Sequence, residues 1–519
     1  MLIKNGTIID GTRRERYLGD IRIEKDIIKE IGKLKPRGGE KVIKAEQRIV
    51  APGFVDIINR SDIHFSIFRN SGLNSVIKQG VTTILGGSCG ASLAPLVGRE
   101  AIRSIQKWSD ISYMNINWAS TDEFLREVAR HNISVNFATL TGHATLRRGL
   151  VGDYFGKITE DQIKKMEYLL ARSMEEGSFG LSAGLAYSHE KVVPTEELER
   201  LARVVSGKGG IYAVHLRDEG AGLVSSVKEI VEIAKKYNVS SHIFHFKALG
   251  KRAWSEFENA IDIVKTARDS GVLIDFDMYP YTRTASVLYL LLPEWATEGG
   301  KKKVLARLHD EKIRARIREE LKDQADEIQE TVIGMGNIEA SFIGKTIGEI
   351  AKNQETSAID ILLNIIIASE DRIMGFLPIS EKNVEIGMRS GAGFIASDGV
   401  GYSMRDRKNI SLVHPRSFGT FPRFLGRYIR ERNMMSWEDA IHRITLMPAQ
   451  KIGLKKRGKI EKGYFADIVI FNPQNIRDIA TFDNPFQYSE GLDYVIVNGG
   501  LAVRRGKFQK RKYGKVLRK

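Results

Sequence analysis

Apolar and β-branched residues recur in eight short runs along the middle of the chain, and amphipathic segments separate several of these runs. The runs are residues 53–60, 81–88, 135–143, 177–185, 211–217, 241–247, 272–280 and 391–399. Four intervening segments carry apolar residues at i, i+3, i+4 and i+7, as helices do, and these are residues 161–176, 196–206, 224–237 and 257–271. Strands and helices that alternate eight times predict an α/β fold, a (β/α)8 barrel with its catalytic groups at the carboxyl ends of the strands.

The two ends of the chain follow a different pattern. The N-terminal residues alternate apolar and polar positions between glycine turns, which predicts a small meander of strands. Residues 463–473 and 493–507 alternate in the same way, and the second segment predicts a hairpin around Asn498-Gly499-Gly500. Since neither end has enough strands for a stable sheet alone, we expect both ends to pair into one small β-sandwich.

These patterns divide the chain into a barrel and a composite β-domain. Residues 1–50 and 451–519 would form the β-sandwich, and residues 51–450 would form the distorted barrel. The stretch between Tyr281 and Phe394 is too long for one crossover between barrel strands. We therefore expect an insertion at about 285–390, near the mouth of the active site.

The composition narrows the class of protein. Hydrophobic residues make up 42% and charged residues 28% of the 519 residues, which is ordinary for a globular protein. Because no apolar run reaches about 20 residues, no membrane span is expected, and the first residues lack the pattern of a signal peptide. Cys89 is the only cysteine, which excludes an internal disulfide and favours a cytoplasmic protein.

The net charge of +16 is partly local, since nine Lys and Arg residues and no acidic residue lie between Arg504 and Lys519. A basic tail can bind nucleic acid or an acidic membrane surface. However, Phe508 and Tyr513 are too few aromatic residues for a platform on which bases stack. We therefore expect a solvated, frayed terminus, and neither a nucleic acid nor a membrane as partner.

Four polar residues follow predicted strands at the edge where a barrel carries its chemistry. Cys89, His215 and His245 lie at the ends of the second, fifth and sixth runs and could supply the three protein ligands of a catalytic zinc ion. Asp398 ends the eighth run, where a carboxylate can serve as general base and general acid. For Asp398 the alternative is a structural Asp-Gly turn.

Further cationic and hydrogen-bonding residues are expected near these positions, namely Lys247, Tyr279, Tyr187 and Arg416. Lysine and arginine in a pocket indicate an anionic group on the substrate, such as a carboxylate. Taken singly, each of these residues could equally be a surface charge or a core aromatic. Only the whole set therefore indicates a binding site for an anionic group. His143 ends the third run and could line the same pocket.

A series of motifs runs through nearly the whole chain: APGFVD, GGSCG, TGHATLRR, GLSAGLAY, HLRDEG, FHFKALG, DMYPYT, LLPEWATEGG, IASDG, HPRSFGTFPRFLGRYIRE, RGKIEKGYFADIVIFNP and DNPFQYSEGLDYVIVNG. In this order they resemble the motifs of the N-acyl-D-amino-acid deacylases, or D-aminoacylases, of the metal-dependent amidohydrolase superfamily. The resemblance implies a distorted barrel with a small β-sandwich built from both termini. It also implies hydrolysis of small N-acyl-D-amino acids to a carboxylate and a free D-amino acid.

The resemblance implies a role for individual residues as well. Three of them match the ligands of a tightly held zinc ion, namely Cys89, His215 and His245. Asp398 matches the catalytic aspartate of the family. The residues that match substrate-binding positions are Lys247, Tyr279, Ser286 and Arg416 at the carboxylate end, and Tyr187 elsewhere on the substrate.

The chain departs from the family where a second metal ion would bind. After the motif PGF-x-D the family has His-x-His, whereas this chain has Ile58 and Arg60 at those two places. Neither isoleucine nor a guanidinium can coordinate a metal ion, so we expect one zinc ion per chain. Two consequences compete: Arg60 supplies the positive charge of the missing ion, or the chain has lost catalysis or changed its substrate.

Two other functions compete with deacylation. The first is another amidohydrolase activity on the same scaffold, such as cleavage of a cyclic amide or a dipeptide. The second is a catalytically silent homologue that binds a ligand or, through its basic tail, a nucleic acid.

Overall fold

The computed structural model describes residues 1–106, 114–370, 373–408, 410 and 412–519. The strands are β1 Leu2–Ile8, β2 Tyr17–Glu24, β3 Ile27–Gly32, β4 Val42–Lys44, β5 Ile49–Pro52, β6 Phe54–Asp56, β7 Val81–Gly86, β8 Asn136–Thr139, β9 Thr141–Gly142, β10 Gly180–Gly184, β11 Ile211–His215, β12 Ser240–Ile243, β13 Ile274–Met278, β14 Arg283–Val287, β15 Val332–Gly336, β16 Ile373–Pro378, β17 Gly393–Ile395, β18 Ile468–Phe471, β19 Leu492–Val497, β20 Gly500–Arg504 and β21 Lys507–Phe508.

Helices connect most of these strands. The α-helices are α1 Ser66–Arg69, α2 Asn74–Ile77, α3 Arg103–Gln106, α4 Thr121–Arg130, α5 His143–Val151, α6 Glu160–Glu175, α7 Ser188–Lys191, α8 Thr195–Gly207, α9 Leu223–Tyr237, α10 Phe257–Asp269, α11 Glu294–Thr297, α12 Lys301–His309, α13 Glu311–Leu321, α14 Ala325–Glu330, α15 Ile347–Asn353, α16 Ala358–Ala368, α17 Glu381–Arg389, α18 Arg416–Arg423, α19 Trp437–Ile444 and α20 Leu446–Lys451. A π-helical segment, Phe424–Glu431, continues α18. None of the helices within the described ranges has the length and apolar character needed to cross a membrane.

Parallel strands form the centre of the molecule. One parallel sheet has the order β6-β7-β8 and the other has the order β17-β13-β12-β11-β10-β9. These strands coincide with the eight predicted apolar runs, and β8 and β9 are two halves of the third run. A single parallel bridge between Asn59 and Gly399 connects the ends of the first and last runs. The predicted α/β organisation is therefore confirmed.

The four predicted amphipathic helices are present as α6, α8, α9 and α10. Helix α6 begins with a capping box in which Thr159 and Gln162 satisfy each other's backbone N–H groups, so its start is fixed locally. Each helix buries its apolar stripe, and in α9 this stripe contains Val227, Ile230 and Ile233. The buried faces of these helices pack into one continuous apolar core around the parallel strands.

Strands from both ends of the chain form one nine-stranded sheet. It is joined where β5 pairs with β18 in antiparallel register. The predicted hairpin is present between β19 and β20, and Asn498 and Gly499 of its turn both have positive φ angles, 45° and 77°. A separate apolar cluster, which includes Ile3, Ile21 and Ile468, belongs to this sheet.

A three-stranded antiparallel sheet with the order β14-β16-β15 lies in the segment where an insertion is expected. Helices α11 to α16 lie in the same part of the sequence. The sheet approaches the carboxyl ends of the parallel strands, because Tyr279, just after β13, donates or accepts a hydrogen bond of 2.5 Å with Thr284 in β14.

The C-terminal tail is bound to the rest of the protein, so the expectation of a frayed terminus is wrong. Val516 forms a parallel bridge with Phe137 of β8, and Phe137 N–H donates to Lys515 O. Arg518 forms an ion pair of 2.9 Å with Asp122 at the start of α4. The tail therefore takes up backbone groups that the free edge of β8 would otherwise leave unpaired.

Candidate metal centre and active site

The three candidate metal ligands meet at the carboxyl ends of three parallel strands. Cys89 follows β7, His215 is the last residue of β11, and His245 lies two residues after β12. All three are buried, and one ligand atom from each lies within 4.8 Å of the others. Cys89 Sγ is 3.3 Å from His245 Nε2. Residues far apart in sequence are thus close in space because parallel strands end at the same edge.

The backbone at these positions has an unusual conformation. Cys89, His245 and Asp398 have positive φ angles of 51°, 37° and 46°. Residues other than glycine rarely adopt this left-handed region, and when they do, surrounding contacts must hold them there. Such contacts are present: His245 N–H donates to Asp277 Oδ1 at 2.9 Å, and Asp398 N–H donates to Ile58 O at 3.0 Å. Strained backbone of this kind clusters at functional sites.

The donor set fits a zinc ion. Burial lowers the pKa of His215, and burial together with Lys247 lowers the pKa of His245 to about 3. Both imidazoles are therefore neutral at neutral pH, the form that coordinates a metal. Neither ring nitrogen of His215 makes a hydrogen bond of good geometry within the described part of the chain. One thiolate and two imidazoles are typical zinc ligands and leave a fourth position open.

Asp398 lies between two guanidinium groups. It forms an ion pair with Arg60 through Oδ1 and a second ion pair of 2.8 Å with Arg416 through Oδ2. Burial would raise the pKa of Asp398, but Arg416 and Arg60 outweigh it and hold the pKa well below the usual range of an aspartate. Asp398 is therefore ionised throughout the neutral range.

Arg60 extends from Asp398 toward the metal-ligand cluster. Its Nη2 lies 3.4 Å from Cys89 Sγ, so one guanidinium contacts both the carboxylate and the thiol. Ile58, the other residue that departs from the family motif, is fully buried. A cation that belongs to the chain itself thus lies beside Asp398 and Cys89.

Lys247 contacts His245 at the ring nitrogen that faces away from Cys89, and Tyr279 lies beside Arg416. Lys247 Nζ is 3.2 Å from His245 Nδ1 and 2.5 Å from Glu219 Oε1. The guanidinium of Arg416 lies 4.9 Å from the centre of the Tyr279 ring. Lysine and arginine side chains are typical partners of a carboxylate.

Tyr187 and Ser286 are less closely connected to the cluster. The ring of Tyr187 lies 5.1 Å from the ring of His215, centre to centre, and is buried. Ser286 belongs to β14, where it pairs with Gly375, and it lies on the same face as Thr284, the hydrogen-bond partner of Tyr279. Its part in substrate binding stays a prediction.

Two clefts lead toward these residues. A cleft of about 40 Å³ is lined by Arg60, Asp398 and Arg416 together with apolar side chains that include Phe376. A second cleft, of about 270 Å³, is lined in part by Glu219. One cleft therefore gives access to Asp398 and the other gives access to Glu219.

Comparison with known proteins is consistent with this geometry. The model of the amidohydrolase family matches residues 408–503. The chain is 28% identical to a D-aminoacylase of Alcaligenes xylosoxydans xylosoxydans, over 100% of this chain and 97% of the relative. It is also similar to the crystal structure of an N-acyl-D-glutamate deacylase from Bordetella bronchiseptica, complexed with zinc and a phosphonate inhibitor. That similarity has a TM-score of 0.84 at 26% identity and covers 100% of this chain and 99% of the other.

Over its full length the chain is similar to D-aminoacylases. A solved D-aminoacylase, studied for the role of its binuclear metal centre, has a TM-score of 0.84 at 27% identity, over 100% of this chain and 99% of the other. For that D-aminoacylase, one metal is reported to activate and a second metal to attenuate. In this chain Arg60 occupies one position of the expected His-x-His motif, so the number of metal ions that it binds has to be measured.

Glu219 contacts both histidines of the cluster and is not among the residues expected from the sequence. The residue lies in the motif HLRDEG, four residues after His215, and is buried. Burial would raise the pKa of Glu219, but Lys247 and His215 hold it well below the usual range. The spacing from His215 was the one available signal, because the loop after β11 decides where the carboxylate points.

His143 lies beneath the Cys89 loop rather than in either of the two clefts, so the expectation that it lines the pocket is wrong. Its ring nitrogens lie 2.9 Å from Glu190 and 2.9 Å from Glu197. Glu190 also accepts the Gly184 N–H at 3.0 Å. Gly90, with a φ of 77°, has no room for a side chain, since an added Cβ would lie 2.2 Å from Glu190 Oε2. His143 thus supports the loop that carries Cys89.

The His143 cluster makes stability depend on pH. Burial would lower the pKa of His143, but Glu190 and Glu197 outweigh it and raise the pKa from 6.5 to about 9. The imidazolium therefore stabilises the fold fully below pH 6.5, and this contribution is lost as the pH rises through 9. We expect the free energy of unfolding to fall between pH 6.5 and 9 in the wild type and to change less in His143→Gln, as measured by urea denaturation. Equal pH dependence in both proteins would contradict this assignment.

Proposed function

We propose that this protein hydrolyses the amide bond of N-acyl-D-amino acids and releases a carboxylate and a free D-amino acid. The observation that carries the proposal is the buried cluster of Cys89, His215 and His245 beside the ionised Asp398. The similarity to a D-aminoacylase over the full length of the chain supports it. The preference for the D configuration rests on that similarity.

Each residue of the site has a part in this reaction. Cys89, His215 and His245 would hold one zinc ion, which supplies Lewis-acid polarisation of the acyl carbonyl and activates water. Asp398 takes a proton from the attacking water and returns it to the nitrogen of the leaving amino acid. Tyr187, whose ring is next to that of His215, contacts the substrate close to the scissile bond.

Binding of the substrate carboxylate would change the surroundings of Asp398. Arg416, Lys247, Tyr279 and Ser286 form the proposed carboxylate site, and Arg416 is at the same time an ion-pair partner of Asp398. A substrate carboxylate that pairs with Arg416 weakens the hold of Arg416 on Asp398 and so makes the aspartate a stronger base. Substrates without a carboxylate should therefore lose turnover as well as affinity.

Arg60 would replace the second metal ion. Its guanidinium contacts Asp398 and Cys89, the two residues beside which a second cation would be needed. A permanent positive charge there balances the carboxylate without a further ligand set. We therefore propose one zinc ion per chain.

Restoring His-x-His tests the part played by Arg60. We expect the double variant Ile58→His, Arg60→His to bind about two zinc ions per chain, against about one for the wild type. Elemental analysis of the dialysed proteins gives both values. Excess zinc should slow the variant and leave the wild type unaffected. A wild type that already binds two zinc ions would contradict the proposed role of Arg60.

The fold and the cellular setting are part of the proposal. The eight parallel strands would close into a distorted (β/α)8 barrel over residues 51–450, with the insertion at 285–390. Residues 1–50 and 451–519 would form a β-sandwich domain, which the separate apolar cluster of the nine-stranded sheet supports. A cytoplasmic location suits a single cysteine that must stay reduced to bind a metal.

Substrate profiling tests the proposed function. We expect release of free amino acid from N-acetyl-D-amino acids, slower release from the L-isomers, and no ring opening of hydantoins. A paired assay on N-acetyl-D-leucine and its carboxamide measures the need for the carboxylate. Preferential hydrolysis of cyclic amides or dipeptides would replace the proposal with another amidohydrolase activity, and the absence of any hydrolysis would favour a silent homologue.

A further inference from the structure

The Glu219 carboxylate lies behind both histidines of the candidate metal centre. Glu219 Oε2 is 3.4 Å from His215 Nε2, and Glu219 Oε1 is 3.4 Å from His245 Nδ1. Oε1 also accepts a hydrogen bond of 2.5 Å from Lys247 Nζ. One buried carboxylate thus touches two imidazoles and one ammonium group.

The orientation of each imidazole ring determines which of its two nitrogens faces Glu219. His245 Nε2 faces Cys89 Sγ at 3.3 Å, so Nδ1 is the ring nitrogen on the outer side of the cluster, and this nitrogen is next to Glu219. His215 presents Nε2 to Glu219, which leaves its Nδ1 for the ligand role. A histidine that binds a metal usually donates its second N–H to a carboxylate, which fixes the tautomer and the orientation of the ring.

The charges around Glu219 allow it to stay ionised in the interior. Lys247 is itself buried and provides the balancing positive charge. The imidazoles of His215 and His245 are further polar neighbours of the Glu219 carboxylate. A buried carboxylate without such a partner would be strongly destabilising. The ion pair therefore fixes Glu219 in the position from which it contacts both rings.

We propose that Glu219 is the positioning residue of the metal centre, whose carboxylate lies against the outer ring nitrogens of His215 and His245 and thereby orients both rings toward one metal ion. This inference rests on the metal centre of the proposed function. Glu219 acts through the two histidines and does not touch the substrate. The arrangement differs from one carboxylate per histidine, because a single side chain serves both ligands.

Zinc affinity tests this role directly. We expect Glu219→Gln to bind zinc roughly 10- to 100-fold more weakly than the wild type, because a neutral amide cannot replace the carboxylate that contacts both rings and pairs with Lys247. Competition with a chromophoric chelator measures this affinity without reference to activity. Glu219→Asp keeps the charge at a shorter reach, so an intermediate affinity is expected, and it provides the measurement if the glutamine variant does not fold.

Two further variants serve as controls. Glu229→Gln removes a carboxylate that pairs with Arg217 at 2.8 Å near the same loop and contacts neither imidazole, so wild-type zinc affinity is expected. Lys247→Met should lower the affinity less than Glu219→Gln. If Lys247→Met and Glu219→Gln lost zinc affinity equally, Glu219 would act through Lys247 alone, and the inference would be overturned.

The outcomes separate this inference from the proposed function. A wild type that binds zinc and hydrolyses substrate, with a Glu219→Gln variant of equal zinc affinity, would overturn the role of Glu219 alone. A wild type that neither binds zinc nor hydrolyses any N-acyl amino acid would overturn the proposed function together with it.

Discussion

Replacing Asp398 with asparagine should lower kcat by roughly 10²- to 10⁴-fold, the range that a general base and acid contributes. Asparagine has nearly the same shape but cannot take a proton from the attacking water. It also loses the ion pairs with Arg60 and Arg416, so the substrate carboxylate meets a freed Arg416 and KM should not rise. Steady-state kinetics on N-acetyl-D-amino acids give both parameters.

Metal content is the control for this variant. Asp398 is not one of the three clustered ligands, so the asparagine protein should keep the zinc content of the wild type. Retained turnover would contradict the assignment of Asp398 as general base and general acid. A parallel loss of zinc and turnover would instead make Asp398 part of the metal centre.

Replacing Cys89 with alanine should remove both the metal and the activity. The thiolate is one of three candidate protein ligands, and two neutral imidazoles alone hold zinc far more weakly. We expect zinc per chain to fall from about one to near zero after dialysis, and hydrolysis to become undetectable. Elemental analysis and the hydrolysis assay check the two parts separately.

The fold should survive this change, because Cys89 occupies a loop end and alanine fits its space. Far-UV circular dichroism and the thermal midpoint of the metal-free proteins give the comparison. If the alanine variant kept zinc and turnover, Cys89 would be a buried structural thiol, and the candidate centre would have to be sought elsewhere.

Much of the fold could be predicted because the parallel strands are short apolar runs with polar residues at their ends. The ends of β7, β11 and β12 are visible in the sequence, and the carboxyl edge of a parallel sheet brings Cys89, His215 and His245 together whatever the details of the loops. The hairpin at Asn498 was predictable for a similar reason, since Asn-Gly favours one turn type.

Other features depend on which surfaces meet in three dimensions. Arg60 and Asp398 are 338 residues apart and become partners because the first and last parallel strands end side by side. The tail lacks a sequence pattern for docking, and it is ordered by the free edge of β8 at Phe137. His143 ends an apolar run, but α5 begins at this residue and directs the side chain to Glu190 and Glu197.

The measurement that tests the central claim most directly is a zinc titration of the metal-free protein during hydrolysis of N-acetyl-D-leucine, with the L-isomer in parallel. We expect activity that rises with added zinc, levels off at about one zinc ion per chain and favours the D-isomer. Turnover that persists without metal, requires a second equivalent, or favours the L-isomer would contradict it.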